Sequence, residues 1–175
     1  MRLLALSAAI TFALDQATKL GVLYGMNLLE RHEIDLLPPF LVFRMAWNQG
    51  INFGLLSGQT EWMRWILIIV ALAISVWVVM WVRKEPANRP VQLAGGMLVG
   101  GAIGNVVDRL VYGAVADFLN MSCCGIENPY AFNVADIAIF AGAFGLVVFA
   151  GKSPSGKGGT GGKRRQAGKP ARKTP

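Results

Sequence analysis

The most informative part of the sequence is residues 100–144, GGAIGNVVDRLVYGAVADFLNMSCCGIENPYAFNVADIAIFAGAF. Asp117 lies a few residues past the end of one apolar segment, and Asp136 lies at the start of the next one. If the two segments are consecutive antiparallel membrane helices, the end of the first and the start of the second reach the same face of the bilayer. We therefore expect the two carboxylates to lie close together, and we interpret the remaining segments as the scaffold that holds them.

The composition indicates a polytopic membrane protein. The 175 residues are 54% hydrophobic and only 15% charged, and the mean hydropathy is +0.46, which is too apolar for an ordinary soluble domain. Eight of the 17 Lys and Arg residues lie in residues 152–173, which contain no acid. The net charge of +7 therefore belongs to the tail, and it does not indicate a nucleic-acid partner.

Cysteine and histidine are scarce. Cys123 and Cys124 are adjacent, and neighbouring cysteines rarely form a relaxed disulfide, so we infer no disulfide framework. The single histidine, His32, cannot build a His-rich metal site. We expect neither a metal nor another cofactor.

The first apolar segment, residues 3–22, has two readings. Arg2 followed by an apolar run is typical of a cleaved signal peptide. Asp15 and Lys19 interrupt the run, however, and no small-x-small cleavage site follows, so we prefer a retained transmembrane helix. Because the two charges are four residues apart, they share a helix face and can pair within the membrane. Both a structural ion pair and a catalytic role are compatible with this spacing.

Three further segments are candidates for membrane helices: residues 65–82, 91–112 and 132–151. Tryptophans gather at the two ends of the first of them, as in an interfacial aromatic belt. The second carries Gly96, Gly100 and Gly104 at intervals of four, which gives a smooth ridge for helix packing. The sequence thus predicts a mainly α membrane protein with four transmembrane helices.

The segment of residues 23–61 between the first two helices is more polar and is expected outside the membrane. Alternation in residues 40–47 predicts a short strand, with Arg44 on the face opposite the apolar side chains. We predict that residues 1–151 form the membrane domain and that residues 152–175, rich in Gly, Lys, Arg and Pro, form a disordered tail. Residues 114–131 are expected to be a loop.

The distribution of basic residues predicts the orientation. The tail and residues 83–89 are basic, so we expect both on the cytoplasmic side, whereas residues 114–131 contain no Lys or Arg and are expected outside. Four helices with both termini in the cytoplasm satisfy these constraints. The two acids then lie at the outer leaflet.

Two nearby carboxylates in a site of low dielectric cannot both ionise easily, so one keeps a proton while the other stays charged. The charged carboxylate can take a proton from water, and the neutral one can polarise a peptide carbonyl, which is the chemistry of an aspartic protease. Two simpler interpretations stay open. Asn133 and Asp136, three residues apart, could simply cap the fourth helix without any catalytic role. Asp117 could be an ordinary exposed loop acid.

Four motifs give the chain a resemblance to the bacterial lipoprotein signal peptidases, the type II signal peptidases. They run in order from the first helix into the fourth: Asp15-Gln16 with Lys19; Asn48-x-Gly50-x-x-Phe53-Gly54; Gly100-Gly101-Ala102-Ile103-Gly104-Asn105-x-x-Asp108-Arg109 continuing through Gly113-x-Val115-x-Asp117-Phe118; and Phe132-Asn133-x-Ala135-Asp136. Each motif alone could arise by chance, but the set is specific. Two features depart from the family: Asn52 stands where many members carry a small residue, and the basic tail lies outside the family core.

The resemblance implies roles for individual residues. Asp117 and Asp136 match the catalytic aspartates of the family. A second group matches residues that shape or brace its site or bind substrate: Asn48, Asn105, Asp108, Arg109 and Asn133. Asp15 and Lys19 match its first-helix polar pair, for which we expect a structural role.

The resemblance also implies an architecture and a substrate. Residues 23–61 would form a small outer β-cradle and a half-helix lying on the membrane. The partners would be membrane lipid and prolipoproteins that carry a diacylglyceryl-modified cysteine, cut just before that cysteine in the bacterial inner membrane. We expect a monomer. The basic tail would act as a solvated topology anchor that can also touch anionic lipid.

Other functional classes are compatible with membrane carboxylates. A small proton-coupled transporter or channel would use them as a proton relay, but the polar residues gather at one face and leave no polar track across the second helix. A non-catalytic lipid-binding or assembly protein would tolerate loss of either aspartate, whereas a peptidase would not.

Overall fold

The computed structural model describes residues 1–38, 40–50, 60–123 and 128–150. Within them, five α-helices and three strands follow one another, with a π-helical segment, Gly21–Gly25, directly after the first helix. In chain order the elements are α1 (Arg2–Leu20), α2 (Leu28–Arg31), β1 (Glu33–Leu37), β2 (Leu41–Asn48), α3 (Thr60–Val82), α4 (Arg89–Tyr112), β3 (Val115–Asn120) and α5 (Val134–Phe149).

Three helical segments are long and apolar enough to cross a membrane: Arg2–Gly25, Trp62–Val82 and Arg89–Tyr112. The fourth apolar helix, α5, has 16 residues and is shorter than these spans. Trp62 and Trp65 at the start of α3, and Trp77 towards its end, are exposed on the helix surface. The fold is therefore mainly helical and of membrane type, as the sequence predicts.

Helix α4 lies at the centre of the bundle, because its glycines allow close approach on two sides. A Cβ at Gly96 would lie 2.6 Å from the Ser7 Cβ, and one at Gly104 would lie 2.5 Å from Asp15 Oδ2, both on α1. On the α5 side, a Cβ at Gly101 would lie 2.6 Å from the Ala135 carbonyl oxygen. The predicted glycine ridge is confirmed as a packing surface.

Capping residues define both ends of α4. The Asn88 side chain accepts a hydrogen bond from the Val91 N–H, and Pro90 lies in the first turn, where its missing N–H costs nothing. At the other end Gly113 adopts φ +81°, the left-handed conformation that terminates a helix. Gly113 is thus confirmed as the terminator, and it turns the chain directly into β3.

The sheet is antiparallel, with β2 between β1 and β3. Strand β2 confirms the strand predicted over residues 40–47. Strand β3 was expected as part of a loop over residues 114–131, and that expectation is wrong. Both faces of β3 are covered, so Val115, Ala116, Asp117 and Phe118 are all buried, and the two-residue alternation that marks a half-exposed strand is missing.

One face of β3 closes a small apolar cluster beneath the sheet. Ala116 and Phe118 pack there against Val22 and Leu23, from the π-helical segment, and against Leu28 of α2. Because side chains alternate along a strand, Asp117 points to the opposite face, towards the helices. The cluster therefore anchors the strand that carries this acid.

Some expectations for the outer segment lie outside the described residues. Only four residues form α2, and residues 51–59, which include Asn52, are not described. The assignment of a half-helix to residues 23–61 stays a prediction, as does the division between residues 1–151 and 152–175. Contrary to the expectation from adjacent cysteines, Cys123 is disulfide-bonded.

Candidate active site

Strand β3 carries Asp117 into the interior. Asp117 pairs with Ala46 of β2 in the antiparallel ladder, and only 3% of its surface is exposed. The alternative that Asp117 is an ordinary exposed loop acid is therefore wrong. A carboxylate buried to this extent needs hydrogen-bond donors, because desolvation disfavours its charged form.

Asp136 lies in the first turn of α5, where Asn133 is the N-cap. The Asn133 Oδ1 accepts a hydrogen bond from the Asp136 N–H at 2.9 Å, and Asp136 Oδ2 accepts one from the Asn133 N–H at 3.2 Å. This reciprocal arrangement is a capping box. The capping interpretation of these two residues is confirmed, and it is compatible with a second role for the same atoms.

That second role follows from the remaining group of Asn133. Its Nδ2 donates to Asp117 Oδ1 at 2.6 Å, so one fully buried asparagine hydrogen-bonds to Asp117 and Asp136 at once. The two acids, 19 positions apart in the sequence, are brought together by this residue. Helix capping and the positioning of both carboxylates are therefore one structural feature.

A second amide completes the donor set of each acid. The Asn105 Nδ2 of α4 donates to Asp136 Oδ1 at 2.9 Å, and the Asn48 Nδ2 at the end of β2 donates to Asp117 Oδ2 at 3.1 Å. Each carboxylate thus accepts hydrogen bonds on both of its oxygens. The predicted site residues Asn48, Asn105 and Asn133 all contact the acid pair.

Asp117 has a perturbed acidity. Burial and, to a smaller extent, the nearby charge of Asp136 raise its pKa from 3.8 to about 6. The hydrogen bonds from Asn48 and Asn133 and the positive charge of Lys19 lower the pKa of Asp117, but they do not outweigh burial. Asp117 can therefore keep its proton at a higher pH than an exposed aspartic acid can.

A buried ionic network lies beside the pair. The Lys19 Nζ of α1 contacts Asp15 Oδ2 at 2.8 Å and Asp108 Oδ2 at 2.7 Å, and it donates to Asn105 Oδ1 at 3.3 Å. The predicted pair of Asp15 and Lys19 is confirmed, and the structure adds Asp108 to it. Through Asn105, this network touches the hydrogen-bond partners of Asp136.

Arg109 is half-buried at the same end of α4, and its Nη1 donates to the Asn105 carbonyl oxygen at 3.2 Å. Asp117, Asp136 and Asp108 lie within range of its charge, yet Arg109 forms no ion pair within 4 Å among the described residues. Like Asp108, Arg109 is a predicted site residue without a hydrogen bond to Asp117 or Asp136 among the described residues.

Gln16 was not among the predicted site residues. Its Nε2 lies 3.1 Å from Asp15 Oδ2 and 3.1 Å from Asp108 Oδ1, so it links the same two acids as Lys19. The signal was present, since Gln16 follows Asp15 directly and is a polar residue in an apolar helix.

Among the described residues, no group of three or more His, Cys, Asp or Glu side chains could hold a metal ion.

The chain is similar to known proteins over most of its length. The family described as Signal peptidase (SPase) II matches residues 7–151. A lipoprotein signal peptidase of Methylobacterium sp. (strain 4-46) is 43% identical over 142 residues, which are 81% of this chain and 84% of that protein. Another, of Methylocella silvestris, is 38% identical over 164 residues, which are 94% of each chain.

A solved structure is similar in fold as well. A bacterial membrane enzyme determined by the in meso method at 1.9 Å resolution superposes with a TM-score of 0.69 and 28% sequence identity. The match covers 82% of this chain and 88% of that one.

Proposed function

The chain belongs to the signal peptidase II family of membrane aspartic peptidases, and from this premise we propose that it removes the signal peptide from diacylglyceryl-modified prolipoproteins. The cut falls immediately before the lipidated cysteine, and Asp117 and Asp136 activate the attacking water. The observation that carries this proposal is the bridge made by Asn133, which hydrogen-bonds to both carboxylates. If Asn133 only capped the helix, its side-chain NH₂ would not need to donate a hydrogen bond to Asp117.

The two environments favour different protonation states. Asp136 lies at a helix N-terminus, where the helix dipole favours a negative charge, and we assign it the role of initial base. Burial raises the pKa of Asp117 to about 6, so Asp117 is assigned the shared proton. This division resembles other carboxylate pairs whose environments separate acid from base.

The proton transfers of the proposed reaction then need only the two aspartates, water and the substrate. Asp136 takes a proton from water as the water oxygen attacks the scissile carbonyl carbon, and Asp117 donates its proton to the carbonyl oxygen. The resulting tetrahedral intermediate collapses when the C–N bond breaks, and Asp136 returns its proton to the leaving amine. One hydroxyl of the intermediate gives its proton back to Asp117, which leaves a signal peptide with a new carboxyl group and a lipidated cysteine with a free amine.

We propose that substrate is held by groups at the edge of the pair. Asn48 is exposed at the end of β2, and Arg109 has donors that no described carboxylate uses within ion-pair distance. Both can bind backbone carbonyls on either side of the scissile bond. The acyl chains would lie along the outside of the bundle, reached sideways from the bilayer.

The proposed topology has four membrane spans with both termini in the cytoplasm. Helix α5 would be the fourth, although its 16 residues extend only about 24 Å at ~1.5 Å per residue, against a hydrocarbon core of about 30 Å. Mismatch of this size is tolerated by local thinning of the bilayer. In this orientation the start of α5 and the end of α4 face the outer leaflet.

Cleavage by the purified protein tests the proposal. The wild-type enzyme in lipid is given one prolipoprotein in two forms, with and without the diacylglyceryl group, and the products are identified by mass spectrometry. We expect a single cut before the modified cysteine and none in the unmodified substrate. If well-folded enzyme cuts neither form, or cuts elsewhere, the proposed function is wrong.

A further inference from the structure

The buried ionic network beside the acid pair is costly to retain. Asp15 is 0% exposed, Asp108 1% and Lys19 4%, and all three lie on helices that are apolar enough to cross a membrane. Buried ion pairs often add little to stability compared with well-packed apolar side chains of the same size. We therefore expect this network to have a role besides holding α1 against α4.

The network reaches the backbone beside each acid of the pair. Asp108 Oδ2 accepts a hydrogen bond from the Ala116 N–H at 3.2 Å, and Asp15 Oδ1 accepts one from the Ala135 N–H at 2.9 Å. Ala116 and Ala135 directly precede Asp117 and Asp136 in the sequence. Each network carboxylate thus holds the backbone N–H of the residue directly before one of the two acids.

Two side chains join these tethers to each other. The Lys19 Nζ lies 2.8 Å from Asp15 Oδ2 and 2.7 Å from Asp108 Oδ2, and the Gln16 Nε2 makes a parallel link of 3.1 Å to each of these acids. Both side chains come from adjacent turns of α1. The chain of contacts therefore runs unbroken from the backbone of β3 to the first turn of α5.

We propose that Lys19 and Gln16 act as positioning residues that set the separation between Asp117 and Asp136, by joining the two carboxylates that tether Ala116 and Ala135. This inference rests on the proposed function, since it assigns the network to the reaction. In acid–base catalysis a displacement of about 1 Å can reduce the rate by roughly 10²-fold. Both residues act through the carboxylates of Asp15 and Asp108.

Gln16→Met gives the sharpest test, because it removes one link without changing charge. We expect kcat to fall at least about tenfold with KM nearly unchanged, since the misplacement acts on the chemical step. Amide hydrogen exchange at Ala116 and Ala135 should become faster while exchange elsewhere in the helices is unchanged. Glu33→Gln, which removes an exposed ion pair with Arg44, is the control and should change neither quantity.

Lys19→Met removes the second link together with a charge. The charged groups around Asp117 are Asp136 on α5, Lys19 on α1 and Arg109 on α4, and of these Lys19 lowers the pKa of Asp117. We therefore expect Lys19→Met to lower kcat and also to move the alkaline limb of the kcat profile to higher pH. Gln16→Met should lower kcat without moving that limb.

A double variant separates positioning from stability. Lys19→Met leaves two carboxylates buried without their cation and should lower the melting temperature. Adding Asp108→Asn removes one of those charges but leaves an oxygen for the Ala116 N–H, so the melting temperature should recover while kcat stays low. Recovery of kcat together with stability would show that the network only stabilises the fold.

The outcomes distinguish the two proposals. If wild-type enzyme cleaves and Gln16→Met cleaves at the same rate with unchanged amide exchange, the positioning role is wrong and the proposed function stands. If the wild type cleaves nothing, the proposed function fails, and exchange at Ala116 and Ala135 still decides whether Gln16 and Lys19 hold the two backbones.

Discussion

Asp117→Asn should stabilise the folded protein while it abolishes cleavage. The carboxylate is 3% exposed, and burial raises its pKa to about 6 from 3.8. Above pH 6 the folded state must therefore keep a charge that its surroundings disfavour. Asparagine has nearly the same shape and no charge, so the variant removes that penalty and also removes the group that carries the proton.

The sign and size follow from proton linkage. Between pH 3.8 and about 6 the folded protein keeps a proton on Asp117 that the unfolded chain has lost, so stability falls as the pH rises through this range. A pKa difference of this size corresponds to about 3 kcal/mol at ~1.4 kcal/mol per pH unit. The asparagine side chain can accept a hydrogen bond with only one of its two polar atoms, which offsets part of the gain.

Thermal unfolding in a mild detergent measures the effect. At pH 8 we expect Asp117→Asn to melt roughly 5–10 °C above the wild type, using ~2–4 °C per kcal/mol for a chain of this size. The difference should shrink as the pH falls and vanish below about pH 4. Asp35→Asn, at an exposed position on β1, is the matched control and should show no such gain.

The melting temperature at pH 8 tests directly whether the buried Asp117 carboxylate destabilises the fold. If Asp117→Asn melts at or below the wild-type temperature there, the buried carboxylate is not under the electrostatic penalty that we infer. A gain of the same size at pH 4 and pH 8 would assign the stabilisation to packing and not to charge.

Three further changes have defined outcomes. Asn133→Ala removes the N-cap acceptor and the side-chain donor to Asp117 but keeps the backbone N–H that donates to Asp136, so the free energy of unfolding should fall by about 1 kcal/mol and kcat by at least ~10²-fold; a loss of stability alone would reduce Asn133 to a cap. Gly100→Ala should destabilise the bundle by about 1–3 kcal/mol in denaturant titrations, because its Cβ would overlap the α1 backbone, whereas Gly21→Ala, with open space around it, should be neutral or stabilising. Asn48→Ala removes a hydrogen bond that lowers the pKa of Asp117, so the alkaline limb of the kcat profile should move to higher pH; movement of the acid limb instead would make Asp117 the base.

The helices could be predicted from the sequence, because their signals are local. An uncharged run with tryptophans at its ends identified α3, and the spacing of Gly96, Gly100 and Gly104 identified the packing face of α4. The charge spacing in α1 predicted the pair of Asp15 and Lys19. Each of these patterns lies within one element, where hydrophobic period and side-chain spacing are sufficient.

The missed features depend on contacts between elements. Strand β3 has no alternation of polar and apolar residues because both of its faces are covered, so nothing in its local pattern distinguishes it from an apolar loop. The dual role of Asn133 depends on Asp117, which approaches it from a different element. The role of Gln16 depends on its hydrogen bond to Asp108, which lies 92 positions away in the sequence. The motifs indicated which acids and which asparagines belong to the site, but not which hydrogen bonds join them.

The catalytic pair is best tested by cleavage of a diacylglyceryl-modified prolipoprotein by wild type, Asp117→Asn and Asp136→Asn, each normalised to the amount of folded protein. If the two acids form one catalytic pair, the wild type cuts before the modified cysteine and both variants, although folded and inserted in the membrane, lose essentially all activity. If either folded variant cuts at a rate near that of the wild type, that aspartate is not part of the catalytic machinery, and the proposed mechanism is contradicted.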